Sequence, residues 1–413
     1  MRWHSDPSWL IDDPEHQRML SGEADRLRSF FAEPPGRKRF GWRRFDGSVD
    51  TERPLELYSV ARLVHCFGVA RMLGDEQSDE QAGGWAADGV ELLLTEFMHP
   101  SGGFFDAVTS DGLPVSETRS AYGHAFALLA GATAVQADVP RGAELFGRAR
   151  DAIDDLFWDA GVGAAVDEVD VHARPVSDYR GQNANMHLTE AFLASYELTR
   201  EPEFLHRARG LAERFVLKGA GSREWRVPEH YTREWEVDEE YGREQPLDQF
   251  RPFGVMPGHG LEWSRLVLGI ASHDPSFDRA EEAAHGLFAR AVQDGWDTEK
   301  GGVSYTTDFS GEVVGSARMH WVVAEALAAA VWLARTTGSA EYAEWYRRFW
   351  DWTDRHVIDR VGGSWWHELG ADNRPASHTW PGKPDLYHAY QAVLSAGLLR
   401  PTGFAAAAAR HDL

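Results

Sequence analysis

Cysteine is nearly absent from this sequence. Cys66 stands alone among 413 residues, which excludes an internal disulfide framework and any metal site built from several thiolates. Basic residues are scarce against acidic ones: 42 Lys plus Arg meet 65 Asp plus Glu, a formal charge of −23 with His neutral. That balance lacks the basic footprint that nucleic acids and anionic membranes require. Long apolar runs are missing as well. The most apolar stretch, Ala324–Ala334, is too short to span a bilayer and contains Glu325. MRWHSDPSWLIDDPEHQRML at the start has no apolar leader core, so the expected compartment is the cytoplasm. No glycine loop matches GxGxxG or GxxxxGK[ST], and HExxH is absent, which removes dinucleotide cradles, phosphate cradles and zincin-type metal binding.

What is present describes a globular chain: 43% hydrophobic and 26% charged residues, too apolar for a disordered one. Length alone suggests about 2 to 3 domains, but a closed barrel uses such a length as one, and residues 1–413 are read here as a single domain. The 17 Trp are many for this length. Indole faces fill cores, and they also stack on sugar rings.

Helical spacing dominates the chain. Six segments are apolar almost all round: Glu56–Leu73, Glu117–Val135, Asn185–Thr199, Gly260–Ala271, Ala317–Ala334 and Asp385–Leu399. Such helices are buried on every side. Between them lie amphipathic, charged helices, such as Arg141–Phe157, Pro202–Val216, Arg279–Val292 and Ala340–Val357. Gly- and aromatic-rich segments with alternating residues follow at Gly41, Gly102, Gly161, Ser222, Gly301 and Gly362, and read as hairpins. They recur about every 60 residues, with one longer gap, and mark a repeat. About six such units fill the chain. An open solenoid would need polar capping repeats, and none is visible. The expected fold is all-α: an (α/α)6 barrel of six helix hairpins, with short β-hairpins near one mouth. The tail Phe404–Leu413 is expected to be a frayed helix.

The same register organises polar residues. The first turns of successive inner helices carry Arg62 and His65, Tyr122 and His124, Asn183 and His187, His259 and Glu262, His320 and Trp321, and Asp385 and His388. Arranged in a ring, these groups converge on one mouth. In PGHGLEW (Pro257–Trp263), His259 lies near a helix N-terminus, where the dipole disfavours imidazolium and favours the neutral base. Glu262, three residues on, can orient His259 or offset the dipole. In GKPDLYHAY (Gly382–Tyr390), Asp385 can fix the tautomer of His388, or cap the helix, or both. Two imidazoles with nearby carboxylates suit proton removal and delivery on a carbonyl compound, each contributing about 10²–10⁴-fold. The pairs at i, i+3 also resemble helical metal ligation, but carboxylates are few, and no metal or cofactor is expected. Glu190, Glu262, Glu325 and Asp385 are the acidic candidates for a glycoside hydrolase, the main reading from another class. A non-catalytic sugar- or protein-binding barrel is the other.

Seven segments carry a family resemblance: ARLVHCF (Ala61–Phe67), AYGHAFALL (Ala121–Leu129), YRGQNANMHLTEAFL (Tyr179–Leu193), WRVPEHY (Trp225–Tyr231), FRPFGVMPGHGLEW (Phe250–Trp263), GSWWHELGADN (Gly363–Asn373) and WPGKPDLYHAY (Trp380–Tyr390). In family order and over nearly the whole chain, they resemble the N-acylglucosamine 2-epimerase family, in particular its aldose–ketose isomerase branch acting on mannose or sulfoquinovose. The resemblance implies that His259 and His388 are the acid/base pair. It implies sugar contacts from Arg62, Tyr122, Asn183, His187, Arg251, Glu262, Trp321 and Trp380, with Asp385 supporting His388. It implies a free monosaccharide as substrate and a cis-enediolate between mannose and fructose, or between lyxose and xylulose, with 2-epimerisation as the alternative outcome. The sulfosugar members tend to have Gln where this chain has Pro384 and a basic residue where it has Gln249, which favours an uncharged hexose. Arg62, Arg251 and Lys383 are the residues from which a local basic pocket would be built. No sign of oligomeric state is carried by the sequence.

Overall fold

A computed structural model describes residues 8–74 and 76–413; the first seven residues of the N-terminal segment read above lie outside it. In chain order its helices are α1 (Pro14–Ala32), α2 (Leu57–Leu73), α3 (Glu76–Glu96), α4 (Ala121–Gln136), α5 (Gly142–Ala152), α6 (Gln182–Thr199) and α7 (Pro202–Ala212). They continue with α8 (Pro257–His273), α9 (Ala280–Gly295), α10 (His320–Thr337), α11 (Ala340–His356), α12 (Tyr387–Ser395) and α13 (Phe404–Ala409).

The even-numbered helices form the inner ring, each packed on the next: α2 on α4, α4 on α6, α6 on α8, α8 on α10, α10 on α12, and α12 back on α2. Their composition explains the place. Every residue of α10 from His320 to Leu333 is buried, and its alanines let helices approach on both sides. The outer helices bury one stripe only. In α11 that stripe is Tyr342, Tyr346, Phe349, Trp350 and Thr353 at helical spacing, flanked by charged residues. Phe349, fully buried, contributes roughly 1.5–3 kcal/mol of apolar transfer.

The architecture is the expected (α/α)6 barrel, with one feature the repeat did not reveal. The outer partner of the last inner helix, α12, is the first helix of the chain, α1. Two hydrogen bonds complete this closure: Lys383 N–H donates to the Arg43 carbonyl at 2.8 Å, and the Trp42 side chain donates through Nε1 to the Pro381 carbonyl at 2.6 Å. Gly382, between them, has φ of +106°, and a Cβ there would meet the Arg43 carbonyl oxygen at 2.2 Å.

The segments at Gly41, Gly102, Gly161, Gly301 and Gly362 form hairpins, whereas the one at Ser222 opens with a short helical turn, Gly221–Arg223, and closes no hairpin; the chain beyond these segments also pairs across repeats. Leu55–Glu56 pairs with Ala107–Val108, Arg119–Ser120 with Glu168–Val169, Arg180–Gly181 with His230–Tyr231, and Arg318–Met319 with Glu368–Leu369. One register repeats throughout. The carbonyls of Asp106, Asp167, Glu229 and His367 accept the N–H of the first residue of α2, α4, α6 and α10, at 2.8 to 3.1 Å. Each of these four positions is titratable and sits against an inner-helix start.

The tail is not frayed. Phe404–Ala408 are buried in α13, which packs against α2, α4, α6 and α12. Glu197 on α6 anchors it, accepting from Thr402 Oγ1 at 2.7 Å and from Gly403 N–H at 3.0 Å. The run of alanines supplies a small, continuous apolar surface that fits among the inner helices. No helix among the described residues is long and apolar enough to cross a membrane.

Candidate active site

Inner-helix starts line a pocket at the hairpin-bearing mouth. His259 and His388 line it together with Arg62, Tyr122, Asn183, His187, Glu262, Trp321, Trp380 and Asp385. Trp321 lies between the two imidazoles, its ring 5.2 Å from that of His259 and 6.1 Å from that of His388. Gly258 permits this: a Cβ there would meet the Trp321 ring at 2.4 Å. Arg251 lies elsewhere. It faces the adjoining groove, paired with Glu168 at 3.1 Å and stacked 4.3 Å over Tyr179. His65 and His124 are also absent from the wall. His65 contacts Thr133 Oγ1 at 2.7 Å, and His124 is held by the Ser120 carbonyl and the Phe104 N–H.

Four lining residues were not singled out as ligands from the sequence: Gln249, Phe250, Met256 and His320. Phe250 closes the mouth edge-on against Tyr58, Tyr122 and Trp380. Phe250 falls within a quoted family segment, the one signal that pointed to it.

His259 is oriented by Glu229, not by Glu262. Its Nδ1 stands 2.8 Å from Glu229 Oε2. A carboxylate only accepts, so Nδ1 carries the hydrogen and Nε2 keeps its lone pair for the cavity. Gln182 locks the carboxylate: its Nε2 donates to Glu229 Oε2 at 2.7 Å, and its Oε1 accepts from Trp263 Nε1 at 2.7 Å. Glu262 points instead toward His187, with Oε1 3.4 Å from Nδ1. Burial, and then repulsion from Glu325, pushes the Glu262 carboxyl well above the usual range. Burial, and then the Arg62 charge, holds His187 well below the usual imidazole range. Both shifts favour the uncharged forms, a carboxylic acid and an imidazole, which bind hydroxyls without fixed charge.

Asp385 is the hub of the other wall. It lies in the loop just before α12 rather than on the helix, so its contacts arise from a capping geometry. Oδ1 accepts the His388 N–H at 3.3 Å, and Oδ2 meets His388 Nδ1 at 2.5 Å. Both suggested roles, cap and orienter, are present. Arg62 Nη1 donates to Oδ2 at 3.2 Å, and its Nη2 donates to Tyr122 Oη at 2.9 Å. Burial alone would raise the Asp385 pKa, but the His388 and Arg62 charges outweigh it and hold the carboxyl well below its usual value. His367, kept neutral by burial with a pKa of about 4, accepts the Asp385 N–H at 2.8 Å.

Beneath the cavity, Arg265 neutralises the remaining acids. It pairs with Glu325 at 3.0 Å and Glu190 at 3.3 Å, all buried. Glycosidic cleavage needs two carboxyl groups flanking one bond. Here Glu190 and Glu325 are bound to Arg265, and Asp385 is bound to Arg62 and His388. Two donor sets come within 4.8 Å, His320–Asp385–His388 and His187–Glu190–Glu262, and are the places where a metal ion could be held. In each set one carboxylate already carries an arginine, a cation that an incoming ion would have to displace.

The basic pocket does not assemble. Lys383 is buried against Asp359 and the Gly363 carbonyl, Arg251 is paired with Glu168, and Arg62 is paired with Asp385.

The sequence profile of N-acylglucosamine 2-epimerase (GlcNAc 2-epimerase) matches residues 39–392. A D-mannose isomerase of Pseudomonas cannabina pv. alisalensis is 37% identical over 401 residues, 95% of this chain and 94% of that protein. One of Thermobifida fusca is 38% identical over 385 residues, 92% of this chain and 93% of that one. Among solved structures, a crystal structure of D-mannose isomerase superposes with a TM-score of 0.87 at 30% identity, covering 95% of this chain and 99% of that chain.

Proposed function

Because the chain belongs to the N-acylglucosamine 2-epimerase family, we propose that it is an aldose–ketose isomerase that interconverts D-mannose and D-fructose by histidine-mediated proton transfer. One observation carries the reading. Two imidazoles line a single cavity, each tied through Nδ1 to a buried carboxylate, so that each presents Nε2 to whatever the cavity holds.

The cavity binds the cyclic aldose, with Trp321 and Trp380 against the sugar and Phe250 excluding water at the mouth. After ring opening, Nε2 of His259 removes the C2 proton. The electron pair moves into a C1–C2 double bond while the C1=O1 pair shifts onto O1, giving a cis-enediolate; the O2 proton passes to O1, and the proton held by His259 returns at C1 as the C2=O2 bond forms. Arg62 stands fixed by Asp385 and Tyr122 before substrate arrives, so it stabilises the developing oxyanion without reorganising. Such a donor contributes about 3–4 kcal/mol. Glu262, His187 and Asn183 supply uncharged partners for hydroxyls. An uncharged hexose fits, because every nearby cation is already paired. Proton return to the opposite face of C2 would give the epimer, and the product distinguishes the two.

The test is incubation with D-mannose in D₂O, followed by product identification. Fructose with partial deuterium at C1 is expected. Glucose as the sole product makes the enzyme a 2-epimerase, release of a reducing end from a glycoside makes it a hydrolase, and no turnover overturns the reading.

A further inference from the structure

The mechanism above leaves one buried imidazole of the cavity unused. His320 opens α10 and lines the site. Its backbone N–H donates to the His367 carbonyl at 3.1 Å, and its Nδ1 faces the same oxygen at 3.4 Å. Below it the His367 ring stacks at 3.8 Å and 26°. A carbonyl only accepts, so the hydrogen of neutral His320 sits on Nδ1, and Nε2 is a lone pair. That Nε2 is buried and has no hydrogen-bond partner among the described residues. It lies 3.9 Å from Asp385 Oδ2, the same oxygen that holds His388 Nδ1 at 2.5 Å. The two imidazoles thus share one carboxylate oxygen, with their rings perpendicular and 6.0 Å apart.

We propose that His320 is a further catalytic residue, the base that opens the sugar ring, working with His388 as the acid. The anomeric O1–H proton passes to Nε2 of His320, and its electron pair closes the C1=O1 double bond. The C1–O5 bond breaks, its pair leaves on O5, and O5 takes the proton from Nε2 of the His388 imidazolium. One positive charge thereby moves from His388 to His320. Asp385 borders both rings, so the carboxylate that stabilised the charge before the step still neighbours it afterwards. Ring closure of the ketose reverses the transfer and resets the pair. This assignment rests on the isomerase reading. It adds a division of labour in which His259 handles carbon-bound protons and the His320–His388 pair handles oxygen-bound ones.

His320→Asn keeps a donor near Nδ1 and removes Nε2; His320→Gln keeps polar volume with altered geometry. Both are compared with the unaltered protein by thermal unfolding and by kinetics on D-mannose and its C2-deuterated form. Whichever variant unfolds like the parent should lose kcat by about 10²-fold or more, and its C2 isotope effect should fall to unity, because ring opening then limits the rate. A purely structural histidine would not change which step is slow. Near-parental kcat, or a variant isotope effect still well above unity, overturns the assignment. Absence of ketose from the unaltered protein overturns the isomerase reading itself, and this proposal with it.

Discussion

The imidazole of His259 is held 2.8 Å from the carboxylate of Glu229, a residue 30 positions earlier that belongs to a different repeat. Glu229 occupies the place that in other repeats falls to Asp106, Asp167 and His367, where a side chain or carbonyl secures the start of an inner helix. At Asp167 the carboxylate caps Gly181 N–H at 2.8 Å; at Glu229 and His367 the same place supports His259 and Asp385, on opposite walls of the pocket. A repeated scaffold position thus reaches the proposed acid–base pair.

Glu229→Gln should therefore lower kcat while leaving KM nearly unchanged. The amide can present its N–H to Nδ1 and select the wrong tautomer, moving the hydrogen to Nε2 where the base must be. The expected loss is on the order of 10²–10⁴-fold. Steady-state kinetics on mannose decide it. A change confined to KM would mean that Glu229 only shapes the pocket.

His259→Ala and His388→Ala should each reduce kcat by at least about 10²-fold. Mannose-to-fructose turnover is the measurement. Either variant retaining near-full turnover would remove its histidine from the mechanism.

Dialysis against EDTA should leave turnover unchanged, since Arg62 sits 3.2 Å from the Asp385 oxygen that a metal would need. Turnover lost on chelation and restored by a divalent ion would sink the metal-free route and point to the His320–Asp385–His388 donor set.

Asp167, nearly buried, has its pKa pushed up to about 7 by burial, against the opposing charge of Arg251 and the Gly181 N–H. The folded value lies above that of the unfolded chain, so folding takes up a proton between them. Its contribution to stability is fully present below about pH 4 and is lost as pH rises through about 7. Asp167→Asn keeps an acceptor for Gly181 and removes this dependence. The variant should gain more in Tm at pH 8 than at pH 5. Equal shifts at both values would refute the burial argument.

Phe404→Ala should destabilise the fold by about 3–5 kcal/mol, because Phe404 is only 3% exposed. Urea unfolding measures it, and an unchanged midpoint would contradict the packing of α13.

The sequence conveyed what is local and periodic. Runs such as Ala317–Ala334 announced helices buried on all sides, and the spacing of glycine-rich turns announced the repeat. Polar residues in the first helical turns of the repeats located the cavity, although His65, His124 and Arg251 fall outside it. Contacts between repeats left no such trace. Glu229 reaches His259, and Gln182 reaches Trp263 across 81 residues, so no window of helical spacing could link them. The i, i+3 rule did place Glu262 on the right helix near His259. It could not show that the facing helix offers His187, which is where Glu262 points. The alanine tail looked weakly held because its partner surface is distant in sequence.

The pairing of α1 with α12 sets the order in which the molecule can be completed. As the polypeptide leaves the ribosome, its earliest helix has no mate until the last inner segment emerges, and apolar flanks of unfinished units stay open to aggregation meanwhile. Asp385 and His388 arrive with that last inner helix, so a prematurely terminated product lacks both the keystone of the ring and one member of the proposed acid–base pair.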